Sequence, residues 1–273
     1  MNASVFGLLK CPVCSAGMRA DDNGRVCRCL GAKTHCYDIA RSGHLHLGGP
    51  HAGDGDGKAA VAARRAFLDA GYYEGLSDAI NAMLDRIGAQ NVLDAGCGEG
   101  YYTNRMAQNR TVLGVDLSRA GIEMAAKRAK AMQAGAGFAV GSIFSLPVLD
   151  ASVDTVVNIF APCSEAEFSR VLKAGGHLLL VGAGERHLMG LKRAIYDNVY
   201  ENAARADLPQ GMKQIERASC RYEITVRGND AICALFSMTP YYWRTSPTDR
   251  AKLEGIEELT TELDFDLFLY EKG

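Results

Sequence analysis

An apolar run that leads directly into three alternating glycines constrains the fold of this chain more than any other feature. Residues 91–95 (Asn-Val-Leu-Asp-Ala) have the pattern of a short buried strand, and Gly96-Cys97-Gly98-Glu99-Gly100 follow at once. Glycines at alternate positions allow a tight turn and a close approach of the backbone to a ligand, because no Cβ intervenes. Dinucleotide-binding enzymes use a similar loop. The pattern therefore predicts a nucleotide-like ligand at the end of this strand.

Apolar runs and helical patterns alternate on both sides of the loop. Strands are predicted at residues 91–95, 112–116, 138–140, 153–160 and 176–181, with helices between them. This alternation indicates an α/β fold, in which helices cover both faces of a parallel sheet. Asp116 ends the second strand, where a carboxylate can accept hydrogen bonds from ribose hydroxyls. In the last third, the pattern predicts a helix over 187–202 and an antiparallel final strand over 263–270.

Five of the nine cysteines fall within the first 36 residues, and the other four are scattered through the rest of the chain. Cys11-x2-Cys14, Cys27 and His35 have the spacing of a zinc site, since thiolates and imidazole are ligands that zinc prefers. A segment this small buries too little apolar surface to fold alone, so a metal would stabilise it. Other residues within reach as the fourth ligand are Cys29, Cys36 and His44.

The overall charge gives no strong attraction to nucleic acid. The formal net charge is −2, so any contact with RNA must come from a local patch. No apolar run approaches the roughly 20 residues of a membrane-spanning helix, and we expect a cytoplasmic protein without membrane contact. A glycine-rich segment predicts three parts: a zinc-binding module (residues 1–47), a flexible linker (48–58) and a main domain (59–273).

Longer stretches of the chain carry a family resemblance. Residues 94–100 resemble the first motif of class I methyltransferases, which bind S-adenosylmethionine, and Asp116 matches the acid with which they bind ribose. Over almost its whole length, the sequence is similar to the 23S rRNA (guanine-N1)-methyltransferases, a family that includes a tylosin-resistance enzyme. The stretches that carry this resemblance are Cys11–Cys14, His35–Ala40, Ala63–Tyr73, Gly96–Thr103, Ile159–Cys163, His187–Met189 and Met238–Arg244.

The resemblance implies a Rossmann-like, seven-stranded class I methyltransferase sheet, with S-adenosylmethionine and Zn²⁺ as cofactors. It also implies 23S rRNA as the partner, a homodimer, and His35 as the fourth zinc ligand beside Cys11, Cys14 and Cys27. Because seven residues separate Cys27 from His35, more than is usual in the family, Cys29 or Cys36 could replace a ligand. The expected cofactor-binding residues are Tyr73, Asp94, Gly96, Gly98, Gly100, Tyr102, Thr103, Asp116, Ser142, Ile143, Asn158 and His187.

Methylation of guanine N1 needs alignment of nitrogen, methyl and sulfur, and removal of the N1 proton. No residue stands out as the general base, and none is assigned as catalytic. N1 lies on the Watson–Crick edge, so we expect an unpaired or flipped-out guanine, as in a hairpin loop. Basic residues of the zinc-binding module could contact phosphates, and the aromatic residues at 241–243 could stack on the base.

Two other functions fit the same sequence. The chain could be a small-molecule methyltransferase in which the zinc-binding module is only a structural cap. It could also be a sensor that binds S-adenosylmethionine without catalysis and uses the module to bind a partner. The intact glycine loop and Asp116 give no sign of a degenerate site, which makes the sensor the least favoured of the three.

Overall fold

A computed structural model describes residues 3–49, 57–203 and 209–273 of the chain. Most of the predicted linker, residues 50–56, therefore lies outside the described residues. None of the described helices combines the length and the apolar composition that are needed to cross a membrane.

Short strands near the N-terminus are followed by alternating strands and helices. The described strands are β1 (Met18–Ala20), β2 (Val26–Cys29), β3 (Cys36–Asp38), β4 (Leu45–His46), β5 (Asn91–Ala95), β6 (Thr111–Asp116), β7 (Ala136–Val140), β8 (Val153–Ile159), β9 (Leu172–Ala183), β10 (Met212–Arg227) and β11 (Glu258–Lys272). The described helices are α1 (Ala3–Phe6), α2 (Lys58–Asp69), α3 (Glu74–Arg86), α4 (Tyr101–Met106), α5 (Arg119–Met132), α6 (Glu165–Val171), α7 (Met189–Ile195), α8 (Asn229–Ser237) and α9 (Pro247–Ala251).

The main sheet has the strand order β10-β11-β9-β8-β5-β6-β7-β4. Neighbours from β4 to β9 pair in parallel, whereas β11 runs antiparallel to both β9 and β10. From β5 the chain continues outward through β6 to β7, and it then returns to β8 on the opposite side of β5. Ligands of open α/β sheets bind outside the carboxyl ends of the strands at such a reversal. The glycine loop after β5 lies at this point.

In the described residues the sheet has eight strands, not the seven that the family resemblance implied. The additional strand is β4, which pairs in parallel with the end of β7. The N–H of Leu47 extends this pairing by donating to the Val140 carbonyl (2.9 Å). Two residues are too few to show a strand period in the sequence. Burial of Leu45 against the sheet favours the pairing.

The N-terminal residues pack directly against the main sheet. β1, β2 and β3 form a separate three-stranded antiparallel sheet. Leu9 forms an isolated bridge with Val148, and the buried side chains of Val5, Phe6 and Leu9 belong to the apolar cluster on one face of the main sheet. A short segment thus buries its apolar side chains without a core of its own. The division of the chain at residues 47 and 59 stays a prediction.

The C-terminal third differs in part from the prediction. The final strand is antiparallel as predicted, but it is longer and lies between β9 and β10. The helix predicted over 187–202 is wrong beyond Ile195, where α7 ends. Lys192 donates through Nζ to the Tyr200 carbonyl (3.0 Å) and to Asn202 Oδ1 (2.6 Å). These hydrogen bonds fold the following residues back over α7, so the helix does not continue.

Candidate active site and metal centre

The loop after β5 turns on three glycines in left-handed conformations. Gly96, Gly98 and Gly100 have φ angles of 88°, 54° and 75°, which residues with a Cβ rarely adopt. A Cβ on Gly96 would lie 2.5 Å from the Cβ of Ala161, in the segment after β8. A Cβ on Gly100 would lie 2.6 Å from the Cβ of Ala125 in α5. These glycines are therefore needed both for the turn and for the close packing of the loop.

A buried carboxylate lies at the end of β5. Asp94 is 1% exposed and accepts a hydrogen bond from Thr103 Oγ1 (2.6 Å). Burial raises the pKa of this carboxyl to about 7. The hydroxyl of Tyr102 is buried without a hydrogen-bond partner among the described residues, although buried hydroxyls are nearly always partnered. Both features fit a site that a polar ligand completes.

The end of β6 supplies a second carboxylate. Asp116 accepts from the N–H of Gly98 (2.9 Å) with one oxygen and from the N–H of Ser118 (2.7 Å) with the other. These bonds hold the carboxylate beside the glycine loop. The N–H of Gly141 donates to the Asp116 carbonyl (2.9 Å). The residues predicted to contact adenine, 142 and 143, come directly after this contact. The fold thus places the residue predicted to bind ribose close in space to the segment predicted to contact adenine.

Asn158, at the end of β8, is used inside the protein. Its Nδ2 donates to the carbonyls of Ala95 (2.9 Å) and Pro162 (3.1 Å). It therefore joins the segment after β8 to the end of β5 and positions that segment over the glycine loop. Its predicted contact with the cofactor stays a prediction.

His187 is held as a neutral imidazole beside Tyr73. Its Nδ1 accepts a hydrogen bond from the Asp264 N–H (3.3 Å), which leaves the proton on Nε2, 3.5 Å from the hydroxyl oxygen of Tyr73. Burial lowers the pKa of His187 to about 4. The structure therefore brings these two predicted residues together, and His187 is poorly suited to remove a proton at neutral pH.

Phe160 is strained and half-exposed next to this pair. Its φ of 51° is left-handed, a genuine outlier for a bulky residue, and its side chain is 48% exposed. Its ring stacks on that of His187 (6.3 Å between centroids, 25° between planes) and lies 5.8 Å from that of Phe265. Such strain persists only where the surroundings impose it, and it is concentrated at functional sites.

Sequence reasoning missed Phe160 and Arg64 as site residues. Arg64, from α2, places Nη1 3.8 Å from the position of a Cβ on Gly98, so it covers the glycine loop. Both residues lie in stretches that carry the family resemblance. No local pattern, however, separates an arginine that covers a loop from a solvated one, or predicts a left-handed phenylalanine.

Four side chains near the N-terminus form a group that could hold a metal ion. Sγ of Cys11, Cys14 and Cys29 and a ring nitrogen of His35 all lie within 4.8 Å of one another. The separations are 3.6 Å between Cys14 and Cys29, 3.4 Å between Cys29 and His35, and 3.7 Å between Cys11 and His35. Tetrahedral zinc, with Zn–S near 2.3 Å and Zn–N near 2.0 Å, needs ligand atoms about 3.5–3.8 Å apart. The donor set and its dimensions therefore fit zinc.

The structure does not bring the predicted ligand Cys27 into this group, and Cys29 lies there in its place. Both cysteines are buried on the same face of β2, but Cys29 ends the strand, nearer the Cys11–Cys14 turn, and Cys27 lies about 7 Å back along it. The N–H of His35 donates to Cys29 Sγ (3.0 Å) and lowers the pKa of that thiol to about 6, whereas burial raises the pKa of Cys27 to about 11. A metal ligand must be a thiolate, which favours Cys29.

Comparisons with known proteins agree with this geometry. A family model described as "Methyltransferase domain" matches residues 92–176, which include the glycine loop. The 23S rRNA (guanine(748)-N(1))-methyltransferase of Streptomyces fradiae is 29% identical over 97% of this chain and 98% of that protein. A Bacillus subtilis (strain 168) protein with a provisional name for guanine-N1 methylation of 23S rRNA is 28% identical over 97% of both chains. Over nearly its whole length, the chain is therefore similar to proteins named as 23S rRNA (guanine-N1)-methyltransferases.

The matched domain makes this protein a methyltransferase, and its sheet has the class I arrangement with one added edge strand. Among solved structures, an S-adenosylmethionine-dependent methyltransferase of Thiobacillus denitrificans in complex with S-adenosyl-L-homocysteine is 18% identical to this chain. Its TM-score is 0.44, and the match covers 72% of this chain and 90% of that chain.

Proposed function

We propose that this protein methylates N1 of a guanine in 23S rRNA with S-adenosylmethionine as the methyl donor. The observation that carries the proposal is the similarity to the Streptomyces fradiae enzyme over 97% of this chain and 98% of that protein, which includes most or all of the N-terminal module. Similarity confined to the methyltransferase domain would support methylation without pointing to a substrate class.

The predicted cofactor residues fit S-adenosylmethionine at the edge where β5, β6 and β8 end. In the proposal, the sugar hydroxyls lie against Asp116, and the buried Tyr102 hydroxyl gains a polar partner. When bound, the cofactor supplies an electrophilic methyl on sulfur, so the protein mainly has to hold and align the reacting groups. The glycine loop allows the close approach, and Arg64 covers it from the side of α2.

The target guanine lies against Phe160 in this proposal. The ring is exposed at the carboxyl end of β8, and the segment that carries it touches Gly96 of the cofactor loop. A flat aromatic surface can stack on a flipped-out base. Trp243, which is 80% exposed, is the competing surface, whereas Tyr241 packs against Tyr196 and Phe236. No residue is assigned as the base that accepts the N1 proton.

A zinc ion bound by Cys11, Cys14, Cys29 and His35 would order the N-terminal module. The charge of the ion would keep the thiols ionised, and the four ligands would join the Cys11–Cys14 turn to the end of β2. The ordered module presents six lysines and arginines against three aspartates in residues 1–50. We propose that this module contacts the rRNA and that the cytoplasm is the site of action.

The test uses total RNA from a strain that lacks the gene. The purified protein is incubated with this RNA and labelled S-adenosylmethionine, and the RNA is digested to nucleosides. Label in 1-methylguanosine from large-subunit RNA is the expected result. No label in any RNA, with cofactor binding intact, would contradict the proposal and favour a small-molecule substrate. Light scattering on the same preparation tests the predicted homodimer.

A further inference from the structure

A groove of about 600 Å³ lies between the N-terminal module and the carboxyl end of α5. The loops around Arg25 and Arg41 form one wall, and the last turn of α5, with Lys130, forms the other. Its floor is built largely from small residues, namely Ala126, Ala129, Ala134, Gly135 and Ala136. This site takes no part in the cofactor or metal chemistry described above.

The groove is uniformly basic. Arg25, Arg41 and Lys130 are exposed, and no aspartate or glutamate lines the groove. Within the described part of the chain, none of the three side chains forms an ion pair. Of the acids near the groove, Asp21 accepts from the backbone N–H groups of Arg25 and Val26, and Glu123 pairs with Lys127 (2.7 Å). Among the described residues no carboxylate pairs with these three side chains, so the lining carries three positive charges and no negative one.

One feature of the groove opposes the binding of an anion. The carboxyl end of α5 carries roughly half a negative charge from the helix dipole. Three full positive charges outweigh it, and Lys130 lies in the last turn of the helix. The small side chains of the floor let a polymer backbone approach closely, which a row of bulky side chains would prevent.

We propose that this groove binds the phosphate backbone of the substrate RNA. The proposal rests on the proposed function, because it assumes an RNA substrate. Gly121, in the first turn of α5, packs against Gly98 of the cofactor loop, and Lys130 lies nine residues later, about 14 Å along the helix. The groove therefore anchors the RNA at one end of α5, while the methylated guanine lies at the cofactor site at the other end.

The test compares two double variants with the same change in charge. Arg41→Gln/Lys130→Gln removes one cation from each wall of the groove. The control, Lys213→Gln/Arg227→Gln, removes two exposed cations that lie outside both the groove and the N-terminal module. Binding of purified 23S rRNA is measured by filter retention over a range of salt concentrations, and binding of S-adenosyl-L-homocysteine is measured by calorimetry.

The groove variant should bind the RNA about tenfold more weakly at 0.15 M salt, and the slope of log K against log[salt] should become less steep by about 1.4–1.8. Cofactor binding should stay unchanged. Equal slopes for the groove variant and the control would overturn the proposal, as would wild-type protein that does not bind RNA. RNA binding with a groove-dependent slope but without 1-methylguanosine would support the groove and contradict the proposed function. Methylation by the groove variant at the wild-type rate would support the proposed function and contradict the role of the groove.

Discussion

Phe160 offers a test of where the guanine lies, because its ring and its backbone make separable contributions. Phe160→Ala and Phe160→Gly both remove the ring, but only glycine adopts a φ of 51° without strain. A left-handed residue with a side chain costs about 1–2 kcal/mol. The greater freedom of glycine in the unfolded chain offsets about 0.4–1 kcal/mol of that relief. We therefore expect the glycine variant to be the more stable by roughly 0.5–1 kcal/mol, or about 1–4 °C in Tm.

The activity of each variant should depend on whether it keeps an aromatic ring at position 160, and not on how stable the variant is. Stacking of a base on an aromatic side chain contributes about 1–3 kcal/mol. Loss of the ring should therefore lower kcat/KM for RNA about 5- to 150-fold, since about 1.4 kcal/mol corresponds to a factor of ten. Both ring-deleting variants should lose the same amount. Phe160→Tyr keeps an aromatic face and should stay within about threefold of the wild type.

The assay measures initial rates of methyl transfer to rRNA together with calorimetric binding of S-adenosyl-L-homocysteine, which should not change. Tyr200→Ala removes another exposed aromatic ring (78% exposed) and serves as the matched control. Wild-type kcat/KM in both ring-deleting variants, with a loss in Trp243→Ala, would place the guanine on the competing surface. An alanine variant as stable as the glycine variant would refute the strain argument.

Three further predictions concern the metal centre and the cofactor loop. Cys29→Ser should reduce the bound zinc, measured by mass spectrometry of the purified protein, whereas Cys27→Ser should keep one ion per chain; the opposite pattern would restore Cys27 as the ligand. Because burial raises the pKa of Asp94 to about 7, the folded protein without cofactor holds a proton that the unfolded chain has released above about pH 4. The free energy of unfolding should therefore fall by a few kcal/mol as pH rises from about 4 to 7, and Asp94→Asn should flatten this slope in denaturant titrations; parallel slopes would contradict the assignment. Gly96→Ala should weaken binding of S-adenosyl-L-homocysteine at least tenfold, because of its left-handed φ and the contact with Ala161. Adding Ala161→Gly should recover only the part of the lost binding that is due to the contact between positions 96 and 161. Additive effects of the two substitutions would show that this contact does not contribute.

Much of the fold could be predicted because it depends on neighbouring residues. The alternation of strands and helices, the antiparallel final strand and the glycine loop all follow from local periods and from residues with special backbone freedom. The structure places Asp94, Asp116 and the loop at one sheet edge, as parallel strands require. The predicted helix ends early, at Ile195, where the Lys192 side chain bonds to residues 200 and 202, a contact that the local helical pattern does not show.

The sequence by itself determined the class I sheet, the glycine loop and the set of possible metal ligands near the N-terminus, since each is encoded by residues close together in the chain. Only the tertiary structure decided which cysteine joins the metal group. The period of a strand puts Cys27 and Cys29 on the same face, and the choice depends on which one lies beside a turn more than ten residues earlier in the chain. The strained Phe160, the added edge strand β4 and the basic groove were decided in the same way. Each arises where segments distant in sequence meet, and packing between such segments leaves no period in the sequence.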